Sequence, residues 1–297
     1  MGQAPPSWDV LSDVQQLIHF HFMQNALLAG TMVALAAGVV GYFVVLRGQS
    51  FASHTLSQVG FPGAAAALLL GLSPQVGLVA FCLTAAIGIG LLPRLIGGGY
   101  RSESGAIGVI LVFSLALGLL FFHLYTGFAD TLLAYLFGTF VGIDDQQVLI
   151  VALTATMTLA AMVAIGRPLL FSSIDAEAAA ARGVPARALA LVFLVLLGLA
   201  VAISVQLIGT LLTFALIVTP AAAAQQLTTR PGLGIALSTV VALLTIWGGL
   251  GVAYFTVYPV GFFVTSLAFA AYLTARAVRW ARDGGMSRWR RRGLRLA

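Results

Sequence analysis

A chain of 297 residues that is 60% hydrophobic and 8% charged, with a mean hydropathy of +1.04, is excluded from the soluble globular class, where about a quarter of residues are charged. Its net charge of +6 rests on arginine alone, and the absence of lysine excludes a Walker A loop, which needs that residue on the nucleotide phosphates. The composition predicts an all-α, polytopic membrane helix bundle with no room left for a sizeable soluble domain.

Residues 1–21 carry Asp9 and Asp13 and no basic run, so they read as an extracytoplasmic N-terminal segment and not as a signal peptide. His19 and His21 alternate around Phe20, a pattern of either interfacial residues or metal ligands. Apolar segments then follow at 22–46, 51–70, 75–96, 104–124, 148–165, 187–205, 208–226, 233–254 and 259–275. The count is nine spans, with eight as the alternative, inside a transmembrane domain at 22–277.

The arginines fix an orientation. With the first span starting outside, Arg47, Arg94, Arg101, Arg167, Arg182, Arg187, Arg230 and the cluster from Arg276 to Arg295 all fall on one side, which the positive-inside rule makes cytoplasmic. The basic tail at 278–297 suits anionic lipid headgroups better than nucleic acid. The outer side receives a stretch at 125–147 with Asp130, Asp144 and Asp145 and no arginine. Its apolar run at 132–141 is too short to span and predicts a re-entrant or interfacial helix. His123 sits at the outer end of the fourth span, near Asp130 in sequence.

Polar residues are concentrated in the second span. Ser53, His54, Ser57 and Gln58 lie near its start, and polar groups in a spanning helix usually face a protein interior, a cavity or a ligand path. His54 and Gln58 are four apart, hence stacked on one helical face. Pro62 and Gly63, and later Pro220, permit kinks or gates within spans. The lone Cys82 forms no internal disulfide and reads as a small packing residue. Gln206, Gln225 and Gln226 near span ends are expected to cap or to bond at the interface. Thirty-three glycines allow close helix approach in a medium that offers no hydrophobic drive for packing.

Between the fifth and sixth spans, residues 173–185 predict a short cytoplasmic helix. Ser173 is its expected N-cap, Asp175 and Glu177 suit its positive end, the alanines from Ala178 favour helix, and Gly183 before Pro185 stops it. The patterns of intramembrane proteases, a Gly-x-Ser-Gly-like nucleophile or His-Glu-x-x-His, do not occur, so a transport subunit is expected in place of an enzyme.

Motifs in order along the chain carry a resemblance. They are Ser57-x-x-x-x-Pro62-Gly63, Ala106-Ile107-Gly108, Leu136-Phe137-Gly138, the run from Arg167 to Phe171, Asp175-x-Glu177-x-Ala179-x-Ala181-x-Gly183-Val184-Pro185, Val205-x-x-Ile208-Gly209, and Thr219-Pro220 with its alanines. Over residues 27–273 the chain resembles permeases of the zinc/manganese-type metal ABC importers. The resemblance implies a permease homodimer in the bacterial plasma membrane, two copies of a separate ABC ATPase docked on the 173–185 helix, and an extracytoplasmic solute-binding protein. It implies no tightly bound cofactor, a divalent transition metal of zinc or manganese type as cargo, and ATP hydrolysis on the partner chain.

In that family the second span commonly reads Asp-Ala-Leu-Ser-His-x-x-x-Pro-Gly, and the Asp and His meet the metal. Aligned on Ser57 and Pro62, this chain has His54 at the Asp position and Gln58 at the His position. An imidazole with a neutral amide attracts a hard cation less than a carboxylate does. Three readings stay open here: paired His54 residues passing a metal, including one softer than manganese; a chelate or small organic solute as cargo; or hydrogen bonds between helices only. An ATP-independent secondary transporter is the remaining alternative, although such a protein has no need of the 173–185 helix.

Overall fold

A computed structural model describes residues 20–96, 100–125, 127, 135–138, 142–256 and 258–282. These residues include ten helices: α1 (His21–Leu46), α2 (Ser50–Leu69), α3 (Pro74–Ile96), α4 (Tyr100–Leu124), α5 (Asp145–Ile174), α6 (Ala176–Ala181), α7 (Ala186–Ile208), α8 (Thr210–Leu227), α9 (Pro231–Tyr254) and α10 (Val260–Arg282). Nine of the described helices are long and match the nine expected segments in order; α6 is the short one. By length and apolar composition alone, seven of them can cross a membrane. Helix α2 falls outside that group because polar residues fill its first half, and α8 is the shortest of the nine long helices at 18 residues.

Burial follows position in the bundle. Of those seven, α1 and α7 are the most enclosed, with Val33, Ala37, Phe193 and Leu197 fully buried, while α4 and α5 leave Val112, Leu119, Leu153 and Val163 on the outside. Exposed leucines and valines on a spanning helix are what lipid or a second copy would cover. Helix α2 packs against α3, α4, α7 and α8, and α1 packs against α5, α7, α8 and α9. The span that carries the polar residues is thus enclosed by its neighbours, as unsatisfied polar groups require.

Tight turns set the direction of the chain. Between α1 and α2, the N–H groups of Gly48 and Gln49 donate to the carbonyls of Val45 and Val44, and Gly48 takes φ +67°. The α7–α8 junction breaks at Gly209, with φ +86°. A Cβ there would run into the Leu136 carbonyl and the Gly138 nitrogen, so the outer Leu136-Phe137-Gly138 motif packs directly on the break.

The two ends of the bundle are chemically opposite. At one end His21 and Asn25 of α1 both bond Asp145, the first residue of α5. At the other, Arg47 bonds Ser173, Gln225 donates to the Tyr42 carbonyl at 3.2 Å, and Arg279 donates to Gln226 at 2.9 Å. Arg47, Arg182 and Arg279 thus gather at the second end, together with Asp175 and Glu177, while Asp144 and Asp145 lie at the first. The expected bonding roles of Gln225 and Gln226 are met by these contacts. Residues 1–19 (with Asp9, Asp13 and His19), Asp130 and the tail from 283 onward lie outside the described residues.

Candidate functional site

Helix α2 begins right after the Gly48 turn, so its first three turns place Ser53, His54, Thr55, Ser57 and Gln58 in the half nearer the arginine-rich end. Ser53, Thr55 and Ser57 are fully buried, Gln58 is buried and His54 is half-buried. Ser57 is satisfied locally: its hydroxyl donates to the His54 carbonyl at 2.7 Å. The Ser53 and Thr55 hydroxyls are buried with no hydrogen-bond partner among the described residues. Such orphaned hydroxyls cost about 1–3 kcal/mol each and call for a partner that arrives from elsewhere.

Pro62 adds a further acceptor. It lies inside α2 and has no N–H, so the Gln58 carbonyl four residues earlier loses its usual helical donor. One helical turn thus offers the Gln58 carbonyl, its side-chain amide and the His54 imidazole. Gly63 sits just beyond, where a Cβ would lie 2.5 Å from the Gly77 carbonyl and 2.8 Å from Phe81 Cβ, so α2 and α3 touch backbone to backbone. Cys82 fastens the same pair of helices, its thiol donating weakly to the Leu56 carbonyl at 3.6 Å.

Helix α8 supplies the other wall. Its Phe214 meets the His54 ring edge-on, with centroids 5.2 Å apart and planes at 80°. Nearer the opposite end, Thr210 is the neighbour of Gly60, so α2 and α8 run side by side in opposite directions. The Thr210 hydroxyl is another buried orphan among the described residues, and so is the Gln206 amide nitrogen just before the Gly209 break. Pro220 lies in the same helix and removes the donor for the Leu216 carbonyl. Sequence reasoning missed Phe214, because an aromatic residue in an apolar span gives no local sign of the histidine it faces across 160 positions.

Among the described residues, no three of His, Cys, Asp and Glu gather into a metal-holding group. Helix α2 contains no acidic or basic residue besides His54. A single chain therefore presents only neutral nitrogen and oxygen donors at this place, a donor set that favours borderline ions over hard ones.

The other sequence candidates fall elsewhere. His21 and Asp145 are 2.8 Å apart and largely exposed, and Asn25 donates to Asp145 at 2.7 Å and to the Ile143 carbonyl at 3.2 Å. His21 thus helps clasp the first turns of α1 and α5 together. His123 is exposed in the last turn of α4; its sequence neighbour Asp130 and the His21 neighbour His19 lie outside the described residues.

At the arginine-rich end the short helix forms as α6, with one change in its cap. Asp175, with φ −141°, is the N-cap and accepts from the Ala178 N–H at 2.9 Å. Ser173, the residue expected there, belongs to the last turn of α5, where its hydroxyl bonds the Leu169 carbonyl and receives the Arg47 guanidinium. The fifth span runs through Pro168 to Ile174, which leaves Ser173 no extended backbone for capping. Gly183 at φ +77° ends α6, and the Val184 N–H closes it on the Ala179 carbonyl at 3.0 Å. Ile174, Asp175 and Glu177 are exposed, and Ala178 is half-buried.

Comparison with known proteins gives a consistent picture. A match to the ABC 3 transport family spans residues 19–279. The chain is 32% identical over 211 residues to the manganese import system permease protein ScaB of Streptococcus parasanguinis, covering 71% of this chain and 74% of that one. It is 26% identical to the high-affinity zinc uptake system membrane protein ZnuB of Haemophilus influenzae, covering 78% and 87%. A chain in the solved structure of PsaBC from Streptococcus pneumoniae in complex with Fab superimposes with a TM-score of 0.80 at 29% identity, covering 90% of this chain and 95% of that one.

Proposed function

The chain belongs to the ABC 3 transport family, and on that footing we propose that it is the membrane permease of an importer for a divalent transition metal of manganese or zinc type, driven by a separate ATPase. It is a multi-pass membrane protein of the transport class. The observation that supports the cargo pathway most is the single enclosed polar face of α2, bearing His54 and Gln58 beside Phe214. The cargo descends between two copies of α2 in a homodimer, each copy supplying one imidazole and one amide oxygen. The Ser53 hydroxyl, buried with no partner among the described residues and one position before His54, is a further oxygen donor. With no carboxylate in α2, borderline ions such as Zn²⁺ are favoured over the hard Mn²⁺.

The arginine-rich end faces the cytoplasm, where two ATPase copies dock on the exposed Ile174, Asp175 and Glu177 of the α5–α6 corner, and an extracytoplasmic binding protein delivers cargo at the Asp145 end. Residues 22–277 form the permease domain and the basic 278–297 tail lies against anionic lipid. ATP-driven closure of the partners, felt through residues 173–185, opens and shuts the path by moving α2 against α8, with Pro62, Gly63 and Pro220 as the points that yield.

The coupling assignment has a direct test. Proline cannot take the φ of +77° found at Gly183, so Gly183→Pro unravels the α6 exit and Glu177→Arg inverts the charge presented to the partner. Both variants are expected to insert normally and to lose at least about tenfold in stimulated ATP hydrolysis, the scale of about 1.4 kcal/mol of lost coupling. Co-purification and hydrolysis assays read the effect; full stimulation in both variants contradicts docking at this corner.

A further inference from the structure

We propose that Arg47 is the positioning residue that carries movement of the 173–185 segment to helix α2; the inference rests on the reading that this segment docks an ATPase. Arg47 closes α1, its backbone N–H bonded to the Phe43 carbonyl, and its side chain reaches both helices that flank α6. Nη1 donates to Ser173 Oγ at 2.9 Å, two residues before the Asp175 cap. The guanidinium carbon lies 5.6 Å from the ring centroid of Phe193, a fully buried residue of α7. A planar guanidinium can stack on an aromatic face while its edge donates in plane; an ammonium cannot do both.

The far side of the link has little slack. Arg182, at the end of α6, stacks on Phe171 of α5 at 5.3 Å, a contact that ties α6 to the turn holding Ser173. From Arg47 the chain passes through the hydrogen-bonded Gly48 turn straight into α2, and the Ser53 N–H already bonds the Gln49 carbonyl. Six residues lie between Arg47 and His54. A displaced corner at Ser173 therefore moves the start of α2, and hence the imidazole, as one body.

The test uses the full chain assembled with its ATPase in lipid vesicles and a readout that needs no cargo. Phe51 is exposed on the first turn of α2 and Cys82 is buried, so Phe51→Cys provides one reactive thiol for maleimide. ATP binding by the partner is expected to change the labelling rate about threefold or more, the size of couplings carried by packed networks. Adding Arg47→Ala abolishes that change while ATP hydrolysis persists; Arg47→Lys, which keeps the charge, abolishes most of it. Ser173→Ala weakens it, and Arg47→Ala with Ser173→Ala is no worse than Arg47→Ala alone, as expected of one shared contact. An undiminished nucleotide response with Arg47→Ala, or losses that multiply in the double variant, overturns the proposal. If Arg47→Ala does not assemble, Arg47→Lys and Ser173→Ala decide the question by the same criteria. A parent whose ATPase does not co-purify, or whose thiol ignores nucleotide, refutes the docking reading and this inference with it; a failure confined to the Arg47 variants refutes Arg47 alone.

Discussion

His54→Ala is expected to lower ATP-driven metal uptake at least about tenfold, or on the order of 1.4 kcal/mol of stabilisation along the path, with assembly and basal ATP hydrolysis retained. The imidazole is the one ionisable side chain of α2, half-buried at the edge of the helix that carries the polar face. Its ring leans on Phe214, and alanine leaves that apolar neighbour facing a space with no nitrogen donor. Gln58→Ala removes the companion amide and is expected to have a smaller effect, since the Gln58 carbonyl released by Pro62 remains. His54→Asp combined with Gln58→His supplies a charged oxygen ligand beside an imidazole; it is expected to shift preference toward Mn²⁺ relative to Zn²⁺. Uptake assays with both ions read these outcomes, and undiminished transport by His54→Ala returns His54 to a role in helix packing.

Gly77→Val is expected to be the most damaging substitution to the fold around the site. A Cβ at Gly77 would penetrate the Gly63 carbonyl and approach Ala67 Cβ to 2.7 Å, and backbone cannot rotate aside as a side chain can. Overpacking of this kind costs about 1–3 kcal/mol or more. The reciprocal Gly63→Ala meets the Gly77 carbonyl at 2.5 Å and pushes the same two helices apart. Because α2 is held by α3 on one side and α8 on the other, the displacement also shifts His54 from Phe214. Detergent-solubilised yield and thermal unfolding of the purified chain measure the loss; wild-type stability in Gly77→Val contradicts the backbone contact between α2 and α3.

Much of this architecture was legible because a membrane simplifies the physics. Apolar segments of spanning length mark helices directly, and each of the nine appears among the described residues with its ends moved by a few positions. The fifth helix departs most, running past Arg167 and Pro168 to Ile174. Apolarity stops at the membrane boundary, but the hydrogen-bonded helix need not. That extension decided the α6 cap: with Ser173 absorbed into α5, the extended residue became Asp175, and capping depends on backbone conformation as well as residue type. The polar face of α2 stood out in sequence because polar groups in hydrocarbon require partners. Phe214, Arg47 and Ser173 did not, since their significance lies in pairings between helices over 120 residues apart in the chain.

Reconstitution offers the most direct measurement: elemental analysis and uptake by vesicles holding the chain with its ATPase and binding protein, across Zn, Mn, Fe, Cu and Ni, with and without ATP. The expected result is inward accumulation of Zn²⁺ or Mn²⁺ that requires both ATP and the ATPase and collapses with His54→Ala. Uptake that proceeds at full rate without the ATPase, or a complex that moves none of these ions, contradicts it.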